Sequence, residues 1–152
     1  MWIYILITML IIALDIYTKH LANTVILNKT ITVIEGVLSF QHNGGNGGGA
    51  WGILNGQRWL LVSITLVVIC ALIGYLIYIK ATNKLLLTSV SFIIGGGIGN
   101  LIDRVSVGLV TDFIKFDFIN FPIFNVADCF IVIGVILLSY YILFVDGRKE
   151  EK

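Results

Sequence analysis

The sequence predicts an all-α membrane protein with a small β element: four transmembrane helices, and an extracytoplasmic β-hairpin or cradle between the first two. Three observations lead there. The 152 residues are 58% hydrophobic and only 12% charged, about half the charge of an ordinary soluble domain. The apolar residues gather in four long runs, each near the length that crosses a hydrocarbon core at about 1.5 Å per helical residue. Between the first two runs the composition changes to short β-branched segments and a glycine cluster, which reads as strands and loop. The length suits one bundle occupying residues 1–152. A net charge of +1 with no basic patch gives no reason to expect nucleic acid as a partner.

The first helix covers about 2–22. A cleaved signal peptide would carry positive charge ahead of its apolar core, whereas Lys19 and His20 follow it, so the segment is expected to stay in the membrane. Asp15 and Lys19 stand at i and i+4, share one face and can pair within lipid. An ion pair that fastens this helix to the bundle and a direct chemical role are both compatible with that spacing. Residues 23–57 form the extracytoplasmic segment. Thr30–Ile34 and Val37–Gln41, separated by Glu35-Gly36, read as a hairpin at the membrane surface. The glycine-rich stretch 43–50 follows, a backbone that can approach a ligand closely, and Trp51 beyond it suits an interfacial anchor. The second helix, 58–79, is the plainest span, and Lys80 and Lys84 form the turn after it. The third, 85–103, has Gly95 and Gly99 four apart for close helix packing and ends in Asn100, Asp103 and Arg104. The fourth, 125–145, opens at Phe124-Asn125-Val126-Ala127-Asp128 and precedes a charged tail.

Four antiparallel spans bring the ends of helices 1 and 3 and the starts of helices 2 and 4 to one side. Asp15, Lys19, Asp103, Arg104, Asp112 and Asp128 therefore collect at one membrane face. Lysine and arginine divide evenly between the two sides. With Lys19 and Arg104 set aside as partners of buried acids, the positive-inside rule puts both termini in the cytoplasm and the polar cluster outside.

Carboxylates at a membrane edge are costly unless they have partners or work to do. Two within hydrogen-bonding reach share a proton, because both cannot ionise cheaply. One can then activate water while the other protonates the reacting group. Asp112, in Val110-Thr111-Asp112-Phe113, and Asp128 are the candidate pair; the alternative joins Asp103 to Asp128 and leaves Asp112 to cap a turn. Pro122, within Phe121-Pro122-Ile123-Phe124, suits a chain that dips back into the interface and lets Asp112 reach Asp128. No Ser–His or Cys–His pair competes, since His20 and His42 are the only histidines. No HExxH or paired-cysteine pattern calls for metal, and no cofactor is expected. Cys70 and Cys129 lie in apolar runs and read as small hydrophobes.

In these residues the chain resembles the bacterial lipoprotein signal peptidases (signal peptidase II). Asp15-Ile16-Tyr17-Thr18-Lys19 is similar to that family's D-x-x-T-K, and Gly99-Asn100-Leu101-Ile102-Asp103-Arg104 to its G-N-x-x-D-R. Val110-Thr111-Asp112-Phe113 is similar to V-V-D-F, and Phe124-Asn125-Val126-Ala127-Asp128 to F-N-x-A-D. The resemblance implies an aspartic endopeptidase that cuts diacylglyceryl-modified prolipoproteins just before the lipidated cysteine. It implies Asp112 and Asp128 as the dyad, with Asn46, Gly48, Asn100, Arg104 and Asn125 around the substrate. Asp15, Lys19, Asp103 and Ala127 would support them. It also implies a bacterial cytoplasmic-membrane protein working as a monomer beside membrane lipid. The chain departs from the pattern in three places. Asn46-Gly47-Gly48-Gly49-Ala50-Trp51 has a glycine where N-x-G-A-A has its first alanine, and Asn43-Gly44-Gly45 repeats the N-x-G just before it, so either asparagine could be the substrate contact. Asn46 keeps the spacing to Trp51. Thr111 replaces the second valine of V-V-D-F, and Cys129 stands where serine is common. Readings from other classes are a proton-relaying transporter, against which no repeat between the halves is visible, and a non-catalytic scaffold.

Overall fold

The computed structural model describes residues 2–146; the charged tail after Asp146 lies outside the described residues. Four helices are long and apolar enough to cross a membrane: Trp2–Ile26, Arg58–Tyr78, Lys84–Ser106 and Val126–Asp146. Helix α1 is Trp2–Leu21, and it passes into a wider, π-type turn at Ala22–Ile26. Helices α2 (Arg58–Tyr78), α3 (Lys84–Ser106) and α4 (Val126–Tyr141, continued to Asp146) follow. Asn83 starts α3 by accepting from the Leu85 and Leu86 N–H groups at 2.9 and 3.2 Å, so the polar turn between α2 and α3 also supplies a helix cap.

Helix α3 is the hub, packed against α4, α1 and α2. It is largely buried, whereas the other three leave most of their apolar side chains outward, where lipid takes the place of a core. The α3 glycines make this possible. A Cβ on Gly95 would press on Ile11 and the Thr8 carbonyl of α1, one on Gly96 would meet the Ala127 carbonyl of α4, and one on Gly99 would run into the Asp15 carboxylate. Close packing is therefore the role of these glycines, and it brings the backbones of α1 and α4 up to α3 beside the charged residues.

The extramembrane part is a three-stranded antiparallel sheet in the order β1-β2-β3, made of Thr30–Ile34, Leu38–Gln41 and Ile114–Phe116. The hairpin read from the sequence is there, with Val37 in the turn: Gly36 takes φ 69° and the Val37 N–H bonds the Ile34 carbonyl. The third strand was not expected. It comes from the connection between α3 and α4, pairing Leu38 with Phe116, Ser39 with Lys115 and Phe40 with Ile114. Ala22, Ile26 and Phe113 form a small core joining the end of α1 to this sheet. That core fixes Phe113, and hence the residue before it, over the mouth of the bundle.

Candidate active site

Asp128 owes its position to the start of α4. Asn125 caps the helix: its Oδ1 accepts from the Asp128 N–H at 3.0 Å, and Asp128 Oδ2 accepts from the Asn125 N–H at 3.2 Å. This reciprocal box locks both side chains at the helix N-terminus, where the helix dipole favours an anion. Asp112 arrives from the other direction. The Phe113 and Ile114 N–H groups bond the Phe124 carbonyl at 3.0 and 2.8 Å, and the Phe124 N–H bonds the Ile114 carbonyl at 3.0 Å. Around Pro122 the connection thus folds back on itself and sets Asp112 beside the α4 cap.

Asn125 is the bridge between the two acids. Its Nδ2 donates to Asp112 Oδ1 at 2.7 Å, while its main-chain N–H holds Asp128. Asp112 Oδ2 accepts from Asn46 Nδ2 at 3.1 Å, and Asp128 Oδ1 from Asn100 Nδ2 at 2.7 Å. Burial, then the charge of Asp128, pushes the Asp112 carboxyl up to about 6, against the opposing hydrogen bonds from Asn46 and Asn125. An acid held there can exchange a proton near neutral pH. A cleft of about 440 Å³ opens over it, lined by Asn46, Asp112, Trp51, Phe121 and Pro122 among others. Trp51 lies edge-on to Phe121, ring centroids 5.6 Å apart, so it borders this cleft.

Beneath the pair, Lys19 Nζ sits 2.7 Å from Asp15 Oδ2, 3.1 Å from Asp103 Oδ2 and 3.0 Å from Asn100 Oδ1. Asn100 Oδ1 also accepts from Asn125 Nδ2 at 3.1 Å. Asp15 Oδ1 takes the Ala127 N–H at 2.9 Å, and Asp103 Oδ2 takes the Thr111 N–H at 3.0 Å. Asp103 is thus occupied by Lys19 and Thr111 instead of Asp128, and the expectation that Arg104 partners an acid is corrected: among the described residues it forms no ion pair. Arg104 instead donates to the Asn100 and Gly48 carbonyls at 3.3 and 3.1 Å. Neighbours in a helix do not face each other, which is why Asp103 and Arg104 part company. Gly48 donates its N–H to Asn46 Oδ1 at 2.9 Å, and Asn46 is pinned to Val110 by main-chain bonds in both directions. Of the two candidate asparagines, Asn46 reaches Asp112, and Asn43 stands on the cleft wall.

Three side chains escaped sequence reasoning: Asn23, His42 and Arg58. His42 is buried against the Asp112 carbonyl and Asn23. Arg58 donates to the Val105 carbonyl at 2.6 Å and ties the start of α2 to the end of α3. Nothing in the local sequence of Asn23 or His42 announces these contacts. A signal existed only for Arg58, as a cation at a helix start where an anion is usual.

Fold and site together define a multi-pass membrane protein whose polar centre is a pair of acids joined through one asparagine. Comparison with known proteins gives the family. The family model described as Signal peptidase (SPase) II matches residues 7–144. A lipoprotein signal peptidase of Brevibacillus brevis is 42% identical over 152 residues, covering 99% of this chain and 100% of that protein. One from Enterococcus faecalis is 41% identical over 98% of this chain and 92% of its own length. A bacterial membrane enzyme solved by the in meso method at 2.3 Å resolution superposes with a TM-score of 0.92 at 34% identity, over 100% of this chain and 94% of that one. The chain belongs to the signal peptidase II family and is an aspartic-type signal peptidase.

Proposed function

We propose that this peptidase removes the signal peptide from diacylglyceryl-modified prolipoproteins, cutting on the N-terminal side of the lipidated cysteine, with Asp112 and Asp128 as its catalytic pair. The observation that carries the reading is the Asn125 bridge, which holds both carboxylates with amide donors; among the described residues neither acid makes an ion pair. Asp128, at a helix N-terminus where an anion is favoured, is the base that draws the proton from a water molecule. Asp112, raised to about 6 by burial and by Asp128, carries the proton that the scissile amide needs. The water attacks the carbonyl, the tetrahedral intermediate collapses, and the amine leaves with a proton returned through the pair. Asn46, Gly48, Asn100, Arg104 and Asn125 surround the peptide. Asp15, Lys19, Asp103 and Ala127 hold the frame.

The substrate's acyl chains remain in lipid while its backbone enters the cleft over Asp112. With Lys19 set aside as the partner of Asp15 and Asp103, more lysine and arginine lies on the side of the termini and the α2–α3 turn, and the positive-inside rule favours both termini in the cytoplasm, with the site on the extracytoplasmic side of the bacterial cytoplasmic membrane. One chain, a unit of residues 1–152, contains the whole constellation and works as a monomer. The test is cleavage of a lipidated precursor by detergent-purified protein. Asp112→Asn and Asp128→Asn should each lose at least about 10²–10⁴ in rate while folding and binding the precursor, and the double variant should be no worse than either. A folded, nearly active Asp112→Asn beside an inactive Asp103→Asn would overturn the pairing.

A further inference from the structure

The carboxylate of Asp112 and its main chain are held by different groups. The imidazole of His42, 2% exposed, has its Nδ1 3.0 Å from the Asp112 carbonyl and its Nε2 2.9 Å from Asn23 Oδ1. Asn23 Nδ2 in turn donates to Thr111 Oγ1 at 3.2 Å. The contacts therefore run from Asp112 through His42 and Asn23 back to Thr111, a closed ring on two consecutive residues of one segment. A buried imidazole is costly unless its nitrogens are satisfied, and here both have partners. A carbonyl only accepts, so Nδ1 carries a proton. The neutral ring then needs a donor at Nε2, which Asn23 supplies with its amide turned over, Thr111 Oγ–H donating to its Oδ1; the charged ring fits the amide as placed. Either way the ring stays closed. Asn23 reaches it because α1 ends in the wide turn Ala22–Ile26, and Thr111 contributes a hydroxyl where valine could not.

We infer that His42 is a positioning residue for Asp112: with Asn23 and Thr111 it fixes the main chain from which the carboxylate projects. The neighbouring bonds are made by main chain or by Asp103: Thr111 N–H to Asp103, Phe113 N–H to Phe124, and Gln41 N–H to the Phe113 carbonyl. Among the described residues, His42 alone provides a side-chain donor to the carbonyl of Asp112 itself. The inference rests on Asp112 being one of the catalytic pair.

The experiment compares kcat and KM of His42→Leu, His42→Asn, Thr111→Val and the double variant His42→Leu/Thr111→Val on a lipidated precursor, each per folded molecule, with Asp112→Asn alongside. His42→Leu should lower kcat by roughly 10–10² with KM little changed, the scale of a small misplacement at a reacting group. His42→Asn, whose amide N–H can stand in for Nδ1–H, should recover most of that loss. Thr111→Val should lose less, and the double variant should lose no more than His42→Leu, since the ring acts as a unit. Equal kcat losses in the Leu and Asn variants, additive losses, or a normal kcat in His42→Leu would each overturn the role. Should His42→Leu not fold, Asn23→Ala and Thr111→Val decide, a lowered kcat at unchanged KM supporting the role and a normal kcat in both removing it. An inactive Asp112→Asn beside a fully active His42→Leu removes the positioning role alone. A nearly active Asp112→Asn removes the dyad on which it rests.

Discussion

Replacing Lys19 by methionine puts the frame of the site to the test. Lys19 is 3% exposed, and its ammonium joins Asp15, itself 0% exposed, to Asp103. Methionine keeps the length and the apolar stem but leaves Asp15 as a buried carboxylate whose remaining hydrogen bond is from the Ala127 N–H. Breaking a buried pair from one side costs about 3–5 kcal/mol, because the other charge stays unpaired. For a chain of this size that corresponds to a fall in Tm of roughly 6–20 °C. Thermal unfolding in detergent should show it, and Asp15→Asn added to Lys19→Met should recover at least half, since the orphaned charge is then gone. Asn100 still receives the Asn125 amide without Lys19, so the folded fraction should keep cleavage within about tenfold, below the 10²–10⁴ scale of a lost acid or base. A Lys19→Met protein that melts like wild type yet does not cleave would refute this reasoning and assign Lys19 to the chemistry.

The pH profile should carry the mark of Asp112. Its carboxyl is raised from the ordinary 3.8 to about 6, so the folded chain binds that proton more tightly than the unfolded chain. Asp112 therefore weakens the fold as pH rises through that window, and Asp112→Asn should abolish that part of the pH dependence of Tm. If Asp112 is the acid, kcat/KM falls as pH rises through about 6, and the basic limb of kcat lies higher because bound substrate excludes more water; a kcat/KM still rising across that range would assign the proton to Asp128. In the glycine-rich loop, Asn46→Ala should cost more activity than Asn43→Ala, since only Asn46 both bonds Asp112 and is fixed to Val110. Equal losses in a cleavage assay would count against Asn46 as the working residue.

The four spans were legible because lipid demands long apolar runs, and the start of α4 because Phe124-Asn125-Val126-Ala127-Asp128 stands at the mouth of an uncharged one. The acids at one face followed from antiparallel topology alone. What stayed hidden depends on chain segments meeting across the fold. Strand β3 is three residues long and exists because β2 offers it an edge, and nothing in Ile114-Lys115-Phe116 demands a strand. The Asp103–Lys19 contact needs α1 and α3 to approach as closely as Gly95 and Gly99 permit. His42 adjoins the glycines in the sequence, and its burial appears only once Asn23 and Asp112 close around it.

The choice of amides around the acids bears on the chemistry. A lysine or arginine placed against Asp112 and Asp128 would favour the ionised form of both and remove the proton that an acid needs. Lys19 is kept one residue away, donating to Asn100 Oδ1 while Asn100 Nδ2 donates to Asp128, and Arg104 is turned to the Asn100 and Gly48 carbonyls. The charge thus orients the carboxamide without touching either acid of the pair. Asn125 does the same from the other side, joining both acids while its own Oδ1 is held by the helix start. Each carboxylate gains two amide donors and, among the described residues, no salt bridge, so the charge of Asp128 and burial can raise Asp112 toward neutral pH. An Asn100→Lys substitution, which would bring the cation to Asp128 itself, should therefore depress proton-sharing and stop cleavage in a folded protein, a sharper loss than Asn100→Ala.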